Sequence, residues 1–269
     1  MSIAAVIQMT SGANLQENLE VAYHWLQQAA QRGAQLVALP ENFAFMGMTE
    51  RDKFTVAEHD GDGIVQSWLA RTARQLNVWI VAGTLPLKIP GESRVAAACL
   101  VINAQGERVA RYDKIHLFDV DVDDTTGSYR ESATMAPGHQ PVLVETPIGR
   151  LGLAVCYDVR FPELFRQLVS SGAQVLVVPA AFTVPTGRAH WEVLLRARAI
   201  ENLCYVLAPA QTGLHSNGRK TYGHAMMINP WGEVMACQLH DVGAITSEID
   251  LQQQRETRQK FPVLAHRRW

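Results

Sequence analysis

The chain has 269 residues, of which 48% are hydrophobic and 19% are charged, and its formal net charge is −2. This composition is typical of a globular protein and excludes a disordered chain, and the small net charge excludes the strongly basic surface that binds nucleic acid. The four cysteines stand far apart at positions 99, 156, 204 and 237, which predicts neither a disulfide framework nor a zinc cluster. With no signal-peptide pattern and no apolar stretch of transmembrane length, we expect a cytoplasmic protein without a membrane partner.

Short apolar runs alternate with amphipathic segments over most of the chain, a pattern typical of a mixed α and β structure. Asn14 and Glu17 resemble a capping box and Gly33 marks a stop, which predicts a first helix ending near Arg32. The first half is predicted to contain strands at 3–9, 36–39 and 79–83, helices at 14–32 and 64–75, and a hairpin formed by 96–102 and 109–112. Residues 115–140 show little periodicity and are predicted to form a long, functional loop.

The second half continues the alternation of strands and helices. It is predicted to contain a hairpin formed by 142–145 and 151–155, helices at 162–170 and 189–202, strands at 175–178, 205–209, 225–228 and 244–249, and a polar terminal helix. No linker rich in Pro, Gly or Ser divides the chain, so residues 1–269 are expected to form a single domain.

One internal similarity links the two halves. Residues 33–43, GAQLVALPENF, resemble residues 172–182, GAQVLVVPAAF, and each segment joins a helix to a strand that ends in proline. Chance similarity is one explanation, and the other is that two βαβ halves face each other about a pseudo-dyad. Because ligands of open α/β sheets bind at the carboxyl ends of the strands, the second explanation would place Glu41 and the Phe182 loop in one cleft with Cys156.

Cys156 ends the apolar run 151–155, and it is predicted to lie where a buried strand turns into a helix. Backbone N–H groups and a helix N-terminus at that position would favour the negative charge of a thiolate. A free cysteine is more often a small buried hydrophobe, and Cys99, Cys204 and Cys237 are interpreted in that way. Cys156 is a candidate nucleophile because two distant segments offer the partners it would need.

The two partners are Glu41 and Lys114, each at the end of a predicted strand. Partial burial is expected to raise the pKa of Glu41, which would make it a base toward the thiol, and Lys114 and the Tyr157 N–H could stabilise an oxyanion. Taken singly, Glu41 could be an exposed turn residue, and Lys114 could pair with Asp113 or Glu107 at the surface. Three such residues at strand ends favour acyl transfer through cysteine.

The segments that carry these three residues resemble the three signature segments of the nitrilase superfamily, the carbon–nitrogen hydrolases. They are PEN at 40–42, DKIHLF at 113–118 and VCYDVRFPE at 155–163, and they occur in the order typical of the family. The resemblance implies an α+β fold, a four-layer α-β-β-α sandwich that usually forms a homodimer. It also implies a triad of Glu41, Lys114 and Cys156 that works without metal, nucleotide or organic cofactor.

The resemblance extends to a second glutamate and to the substrate pocket. Glu131 matches the glutamate that lies beside the triad in the family, with an exposed loop glutamate as the alternative interpretation. Residues 182–201 resemble the amidases that act on deaminated glutathione and their sister ω-amidases, and residues 215–224 and 229–232 favour the first of these branches. The resemblance implies that Arg160, Phe182 and Thr186 hold the carboxylate and α-keto group of the substrate.

Two arginines and two histidines of these segments have alternative interpretations. Arg160 could instead form a structural salt bridge with an acidic neighbour, either Asp158 or Glu163. Arg188 departs from the pattern of the branch, and its charge is expected to alter which acyl group fits. His215 and His224 are too far apart for a local metal pair, so no metal site is predicted.

The sequence therefore predicts a small-molecule amidase in which Cys156 attacks the amide carbonyl and Glu41 takes the thiol proton. An ω-amidase acting on α-ketoglutaramate or an N-carbamoyl amidohydrolase would use the same triad. A catalytically silent interaction scaffold is the alternative outside enzymes. A Ser-His-Asp hydrolase is disfavoured because the chain has no G-x-S-x-G elbow.

Overall fold

Two large β-sheets stack face to face in the computed structural model, which describes residues 2–268. The strands are β1 Ser2–Met9, β2 Leu36–Ala38, β3 Trp79–Val81, β4 Leu85–Lys88, β5 Val95–Ile102, β6 Arg108–Asp113, β7 Asp119–Asp121, β8 Ser128–Arg130, β9 Met135–Ala136, β10 Val142–Thr146, β11 Gly149–Leu153, β12 Val175–Val177, β13 Tyr205–Ala208, β14 Ala210–Leu214, β15 Lys220–Tyr222, β16 Ala225–Ile228, β17 Val234–Gln238 and β18 Gly243–Ile249. The α-helices are α1 Leu15–Gln31, α2 Lys53–Val56, α3 Ile64–Leu76, α4 Pro162–Ser170, α5 Val184–Thr186, α6 Glu192–Asn202 and α7 Leu251–Lys260. Turns of 3₁₀ helix span Glu50–Asp52, Glu131–Ala133 and Cys156–Arg160, and a π-helical turn spans Gly187–Trp191.

The centre of each large sheet is built from parallel strands. In the ten-stranded sheet β2 lies between β1 and β3 and is parallel to both. In the six-stranded sheet β12 lies between β11 and β13 and is again parallel to both. Residues that follow these strands therefore emerge at the carboxyl-end edges of the sheets, where ligands of α/β proteins bind.

Alternating side chains of β1 show how the layers are separated. Ala4 and Val6 are buried in the core that the two sheets share, whereas Ala5 and Ile7 are buried against the layer that contains α1 and α3. The outer face of the six-stranded sheet is covered by α4 and α6. The architecture is thus a four-layer α-β-β-α sandwich, as predicted, because each strand alternates its side chains between two apolar surfaces.

Most of the predicted elements are confirmed. The first helix is capped by Asn14, whose side chain accepts hydrogen bonds from the N–H groups of Gln16 and Glu17. Both predicted hairpins are antiparallel pairs, β5 with β6 and β10 with β11. The strands that the pattern missed include β4, β15 and β17, which are edge strands. β4 contains a proline, β15 is short and polar, and β17 is partly exposed along its whole length, so none shows the alternation of a half-buried strand.

Three predictions about local structure were wrong. The predicted loop at 115–140 contains the hairpin of β7 and β8, a 3₁₀ turn and β9, because polar residues build these short elements without an apolar period. The helix predicted at 189–202 starts as an α-helix only at Glu192, because residues 187–191 form the π-helical turn that follows α5. Cys156 begins a 3₁₀ turn of five residues, and not an α-helix.

Across residues 2–268, every helix is too short or too polar to cross a bilayer.

Candidate active site

The four predicted catalytic residues meet in one open cleft, whose volume is about 600 Å³ including the space open to solvent. Glu41 follows β2, Lys114 follows β6, Glu131 starts the 3₁₀ turn after β8, and Cys156 starts the turn after β11. The residues that line the cleft are Glu41, Asn42, Glu50, Lys53, Lys114, Phe118, Tyr129, Arg130, Glu131, Met135, Cys156, Tyr157, Ala181, Phe182, Thr183, Thr186 and Arg219.

Lys114 stands at the centre of the charged groups. Its Nζ donates to Glu41 Oε1 at 2.8 Å and to both carboxylate oxygens of Glu131, at 3.0 and 2.9 Å. The side chain is only 2% exposed, so the surface pairing with Asp113 or Glu107 does not occur. Burial by itself would lower the pKa of Lys114, but the charges of Glu131 and Glu41 outweigh it and raise the pKa well above its usual value.

Two glycines allow the strand ends to approach closely enough for this contact. A Cβ at Gly83 would lie 1.8 Å from the Pro40 carbonyl oxygen, directly before Glu41. A Cβ at Gly138 would lie 2.0 Å from the carbonyl oxygen of Asp113, directly before Lys114. Any larger residue at either position would push the turn away.

Glu41 is held by hydrogen bonds on both of its carboxylate oxygens. Oε1 accepts from Lys114, and Oε2 accepts from the Ala181 N–H at 2.9 Å. Burial would raise its pKa, but the charge and hydrogen bond of Lys114 and a hydrogen bond from Cys156 lower it below the usual value. The expected rise in the pKa of Glu41 was therefore wrong, since that expectation considered burial without the buried cation.

Cys156 faces this carboxylate with its backbone in the left-handed region at φ +47°. Its N–H donates to the Pro179 carbonyl at 2.9 Å, which joins its turn to the end of β12. Burial raises the pKa of the thiol well above its usual value, the charge of Glu41 acts in the same direction, and Lys114 opposes both. The site therefore favours a neutral thiol beside an ionised carboxylate, whereas the sequence suggested a helix end that favours a thiolate.

A fully buried carboxylate fixes the turn that carries Cys156. Asp158 Oδ2 accepts from the Tyr112 hydroxyl at 2.7 Å and from the Val155 N–H at 2.8 Å. Its Oδ1 accepts from the His116 N–H at 3.0 Å and lies 2.7 Å from the ring nitrogen of that histidine. Asp158 thus ties the cysteine turn to the segment that carries Lys114, a positioning contact that the sequence analysis missed.

Glu131 is not an exposed loop residue. Besides its contact with Lys114, its Oε2 accepts from the Phe118 N–H at 2.7 Å. This bond links the start of the β7–β8 hairpin to the cluster of charges. Phe118 in turn packs edge-on against Tyr157, with ring centroids 5.1 Å apart.

The predicted binding residues divide into two groups. Tyr157, Phe182 and Thr186 line the cleft, whereas Arg160 lies behind them, with its guanidinium 5.7 Å from the Tyr157 ring and 5.3 Å from the Phe182 ring. Within residues 2–268, Arg160 forms no salt bridge, so the proposed pair with an acidic neighbour is absent, and its polar contact is with His190 at 3.2 Å. Arg188 is exposed and lies outside the cleft lining.

Arg219 lines the cleft and was missed as a site residue. Its Nη2 donates to the Ala181 carbonyl at 2.6 Å, and its guanidinium lies 5.2 Å from the ring of Tyr129. Arg219 belongs to the segment 215–224, which resembles the family in sequence, but only the folded chain shows that this segment reaches the cleft. In the part of the chain that the structure describes, no group of three or more His, Cys, Asp and Glu side chains could hold a metal ion.

Comparisons with known proteins place this geometry in context. Residues 3–259 match the model of the carbon–nitrogen hydrolase family. The chain is 47% identical over 268 residues to a deaminated glutathione amidase from Synechocystis sp., covering 98% of this chain and 97% of the relative. It is 43% identical over 267 residues to a deaminated glutathione amidase from Yersinia enterocolitica, covering 98% of this chain and 92% of that one. The crystal structure of the C. elegans NitFhit protein matches with a TM-score of 0.91 and 40% identity, over 99% of this chain and 65% of that chain.

Proposed function

The chain belongs to the carbon–nitrogen hydrolase family and is an amidase, and we propose that it hydrolyses deaminated glutathione through a thioester formed on Cys156. The substrate is proposed from the relatives that carry this name at 43–47% identity. The catalytic roles are proposed from the site. The observation that carries them is the buried contact of Lys114 with both Glu41 and Glu131 beside the thiol.

In the first step the sulfur of Cys156 bonds to the amide carbonyl carbon as Glu41 takes the thiol proton. The pKa directions support this order of events, because the pKa of Cys156 is raised and that of Glu41 is lowered. The resting enzyme then holds a thiol and a carboxylate, and the proton moves as the new bond forms. General-base transfer of this kind contributes about 10²- to 10⁴-fold to the rate.

The carbonyl oxygen becomes an oxyanion that needs positive charge and hydrogen-bond donors. Lys114 Nζ and the Tyr157 N–H supply them, and Glu131 keeps Lys114 in position. A donor aimed at the oxyanion typically contributes about 3–4 kcal/mol to transition-state stabilisation.

The tetrahedral intermediate then loses its amine. Glu41 passes the proton it holds to the leaving nitrogen, the C–N bond breaks and the thioester remains. Glu41 next accepts a proton from water as the water oxygen attacks the thioester carbon. The C–S bond breaks, the thiol is restored, and the products are a 2-oxo acid and a free amine.

The acyl part of the substrate is assigned to the group around Arg160. Phe182 and Thr186 contact the 2-oxoacyl chain in the cleft, and the guanidinium of Arg160 attracts its carboxylate from behind the Tyr157 and Phe182 rings. Arginine suits this task because its guanidinium stays charged at every physiological pH and stacks on aromatic rings.

The function is tested by hydrolysis of a substrate panel by the purified protein. Deaminated glutathione, α-ketoglutaramate and an N-carbamoyl amino acid are compared, and we expect the highest kcat/KM for deaminated glutathione. Cys156→Ala should abolish turnover, since no thioester can form. A higher kcat/KM for another amide of the panel would overturn the substrate, and activity retained by the variant would overturn the role of Cys156.

We propose further that the whole chain acts as one domain in the cytoplasm and associates as a homodimer. Four large apolar side chains support the dimer because they stay exposed on one face: Val193 and Ile200 of α6, and Trp231 and Phe261, whose rings lie 5.6 Å apart. Light scattering should give the mass of two chains, and Trp231→Asp should shift it toward one. A single-chain mass for the unchanged protein at micromolar concentration would contradict the dimer.

A further inference from the structure

Arg219 differs from the other cations that line the cleft in having no acidic partner. Lys114 is paired with Glu41 and Glu131, Lys53 with Glu50, and Arg130 with Asp121. Among residues 2–268, no carboxylate lies within salt-bridge distance of the Arg219 guanidinium. A cation in a substrate cleft without a direct ion pair is a candidate for binding an anionic group of the ligand.

The guanidinium is nevertheless held in a fixed orientation. One nitrogen, Nη2, donates to the Ala181 carbonyl at 2.6 Å, and the Tyr129 ring lies beneath the guanidinium carbon at 5.2 Å. The Nε atom is buried and has no hydrogen-bond partner. Native proteins rarely leave a buried donor unpaired, and an acceptor brought by the ligand would satisfy this Nε.

Ala181 places this cation beside the proposed base. Its carbonyl accepts from Arg219 while its N–H donates to Glu41 Oε2 at 2.9 Å. Glu41 is the group that gives its proton to the leaving amine, so Arg219 lies on the side of the cleft that the amine occupies. Arg160 lies instead behind Tyr157 and Phe182, on the side given to the acyl chain.

We propose that Arg219 binds the carboxylate of the leaving group and thereby selects amides whose amine carries such a carboxylate. The inference rests on the proposed function, because deaminated glutathione has one carboxylate on its 2-oxoacyl part and another on its terminal glycine. Arg219 binds the glycine carboxylate, and its fork orients the amine nitrogen toward Glu41. A primary amide such as α-ketoglutaramate has no group for this site.

The test compares Arg219→Gln with the unchanged enzyme on three substrates: deaminated glutathione, its analogue with a carboxamide in place of the glycine carboxylate, and α-ketoglutaramate. Losing a hydrogen-bonded charge pair should raise KM for deaminated glutathione by about 10- to 100-fold. In the variant, KM for deaminated glutathione and KM for its carboxamide should be equal, because the variant has no arginine that could distinguish the carboxylate from the carboxamide. For α-ketoglutaramate the fall in kcat/KM should be at least tenfold smaller than for deaminated glutathione, since that substrate lacks the contact and loses only the effect of the Arg219 charge on Glu41.

Arg130→Gln is the matched control, because it removes the same charge from the same cleft at a residue already paired with Asp121. Arg219→Lys should restore part of the affinity, since it keeps the charge and loses the fork. An equal loss of activity on deaminated glutathione and α-ketoglutaramate in Arg219→Gln would overturn the inference, because it would indicate support of Glu41 through Ala181. If the unchanged enzyme cleaved α-ketoglutaramate but not deaminated glutathione, the proposed function would fail first, and this inference with it.

Discussion

The segments 33–43 and 172–182 follow the same path up to their prolines. Each leaves a helix through a glycine with left-handed backbone, Gly33 at φ +83° and Gly172 at φ +104°. In both, the N–H of the glycine and the N–H of the next alanine donate to helix carbonyls at 2.9 and 3.1 Å. Each then forms a strand that is parallel to both of its neighbours. The internal similarity in the sequence therefore corresponds to two equivalent structural units.

The two segments diverge after the proline. The first continues with Glu41 and Asn42, and the second with Ala180 and Ala181. The two ends meet, since the Ala181 N–H donates to Glu41 Oε2. One unit thus supplies the carboxylate and the other supplies a backbone donor that orients it. Two units with the same backbone can therefore supply different groups to one site when only the residues beyond the strand end differ.

The charge of Glu41 is the largest difference between the units, and Glu41→Gln removes it while keeping the side-chain volume. We expect kcat on the preferred amide to fall by about 10²- to 10⁴-fold, the contribution of one general base. Steady-state hydrolysis measures the loss, and thermal unfolding checks that the fold is intact. Glu50→Gln is the control, because Glu50 also lines the cleft but pairs with Lys53. A near-normal kcat in Glu41→Gln would show that the units do not differ in the way proposed.

His215 connects the two units, which gives a prediction about pH. Its Nδ1 donates to the Ser11 carbonyl at 2.8 Å, and Ser11 bonds to Phe43 of the first unit. Its Nε2 accepts from Thr221 at 2.7 Å, and the next residue, Tyr222, bonds to Phe182 of the second unit. Burial and the charge of Arg219 lower the pKa of His215 to about 4, although the bond to Ser11 opposes them.

The sign of the pH effect follows from this lowered pKa. Between pH 6.5 and about pH 4, His215 is protonated in the unfolded chain but stays neutral in the folded chain. The free energy of unfolding should therefore fall by about 3 kcal/mol between pH 6.5 and pH 4. Urea denaturation at a series of pH values measures it. His215→Gln should be less stable at neutral pH but should lose this part of the pH dependence, and an unchanged slope would exclude His215 as its source.

The smallest expected effect tests whether the two glycines are equivalent. Gly33→Ala and Gly172→Ala should each lower the free energy of unfolding by about 1 kcal/mol, because both place a Cβ on left-handed backbone. The added Cβ would meet only the end of a flexible side chain at either site, Ile3 or Arg150. Gly12→Ala is the control, since its backbone is not left-handed and the Cβ would have room. A large difference between the two variants in urea denaturation would argue against equivalent units.

The sequence predicted the periodic elements well because burial imposes their period. β1 and α1 each present one face to a defined apolar layer, so their hydrophobic residues recur at the expected spacing. β4 contains Pro86 and β17 lies at a sheet edge, so neither had to show that spacing. The β7–β8 hairpin is built from polar residues, and no local pattern distinguishes it from a loop.

The site was predictable only where a residue's position in its own segment identified it. Glu41, Lys114 and Cys156 each follow a strand, which the sequence could indicate, and the structure brings them together. Arg219 lies in the turn between β14 and β15, and it reaches the cleft because β14 pairs with the distant strand β1, which no local signal encodes. The direction of the Glu41 pKa shift depends on a lysine 73 positions away, so burial alone gave the wrong sign.

The left-handed backbone of Cys156 has a consequence for how this protein can change. A side chain at φ +47° carries a conformational cost of about 1–3 kcal/mol that glycine would avoid. Selection for stability alone would thus favour glycine at this position. If the thiol carries the proposed catalysis, a lineage no longer selected for turnover should lose the cysteine at this turn before it loses the surrounding fold.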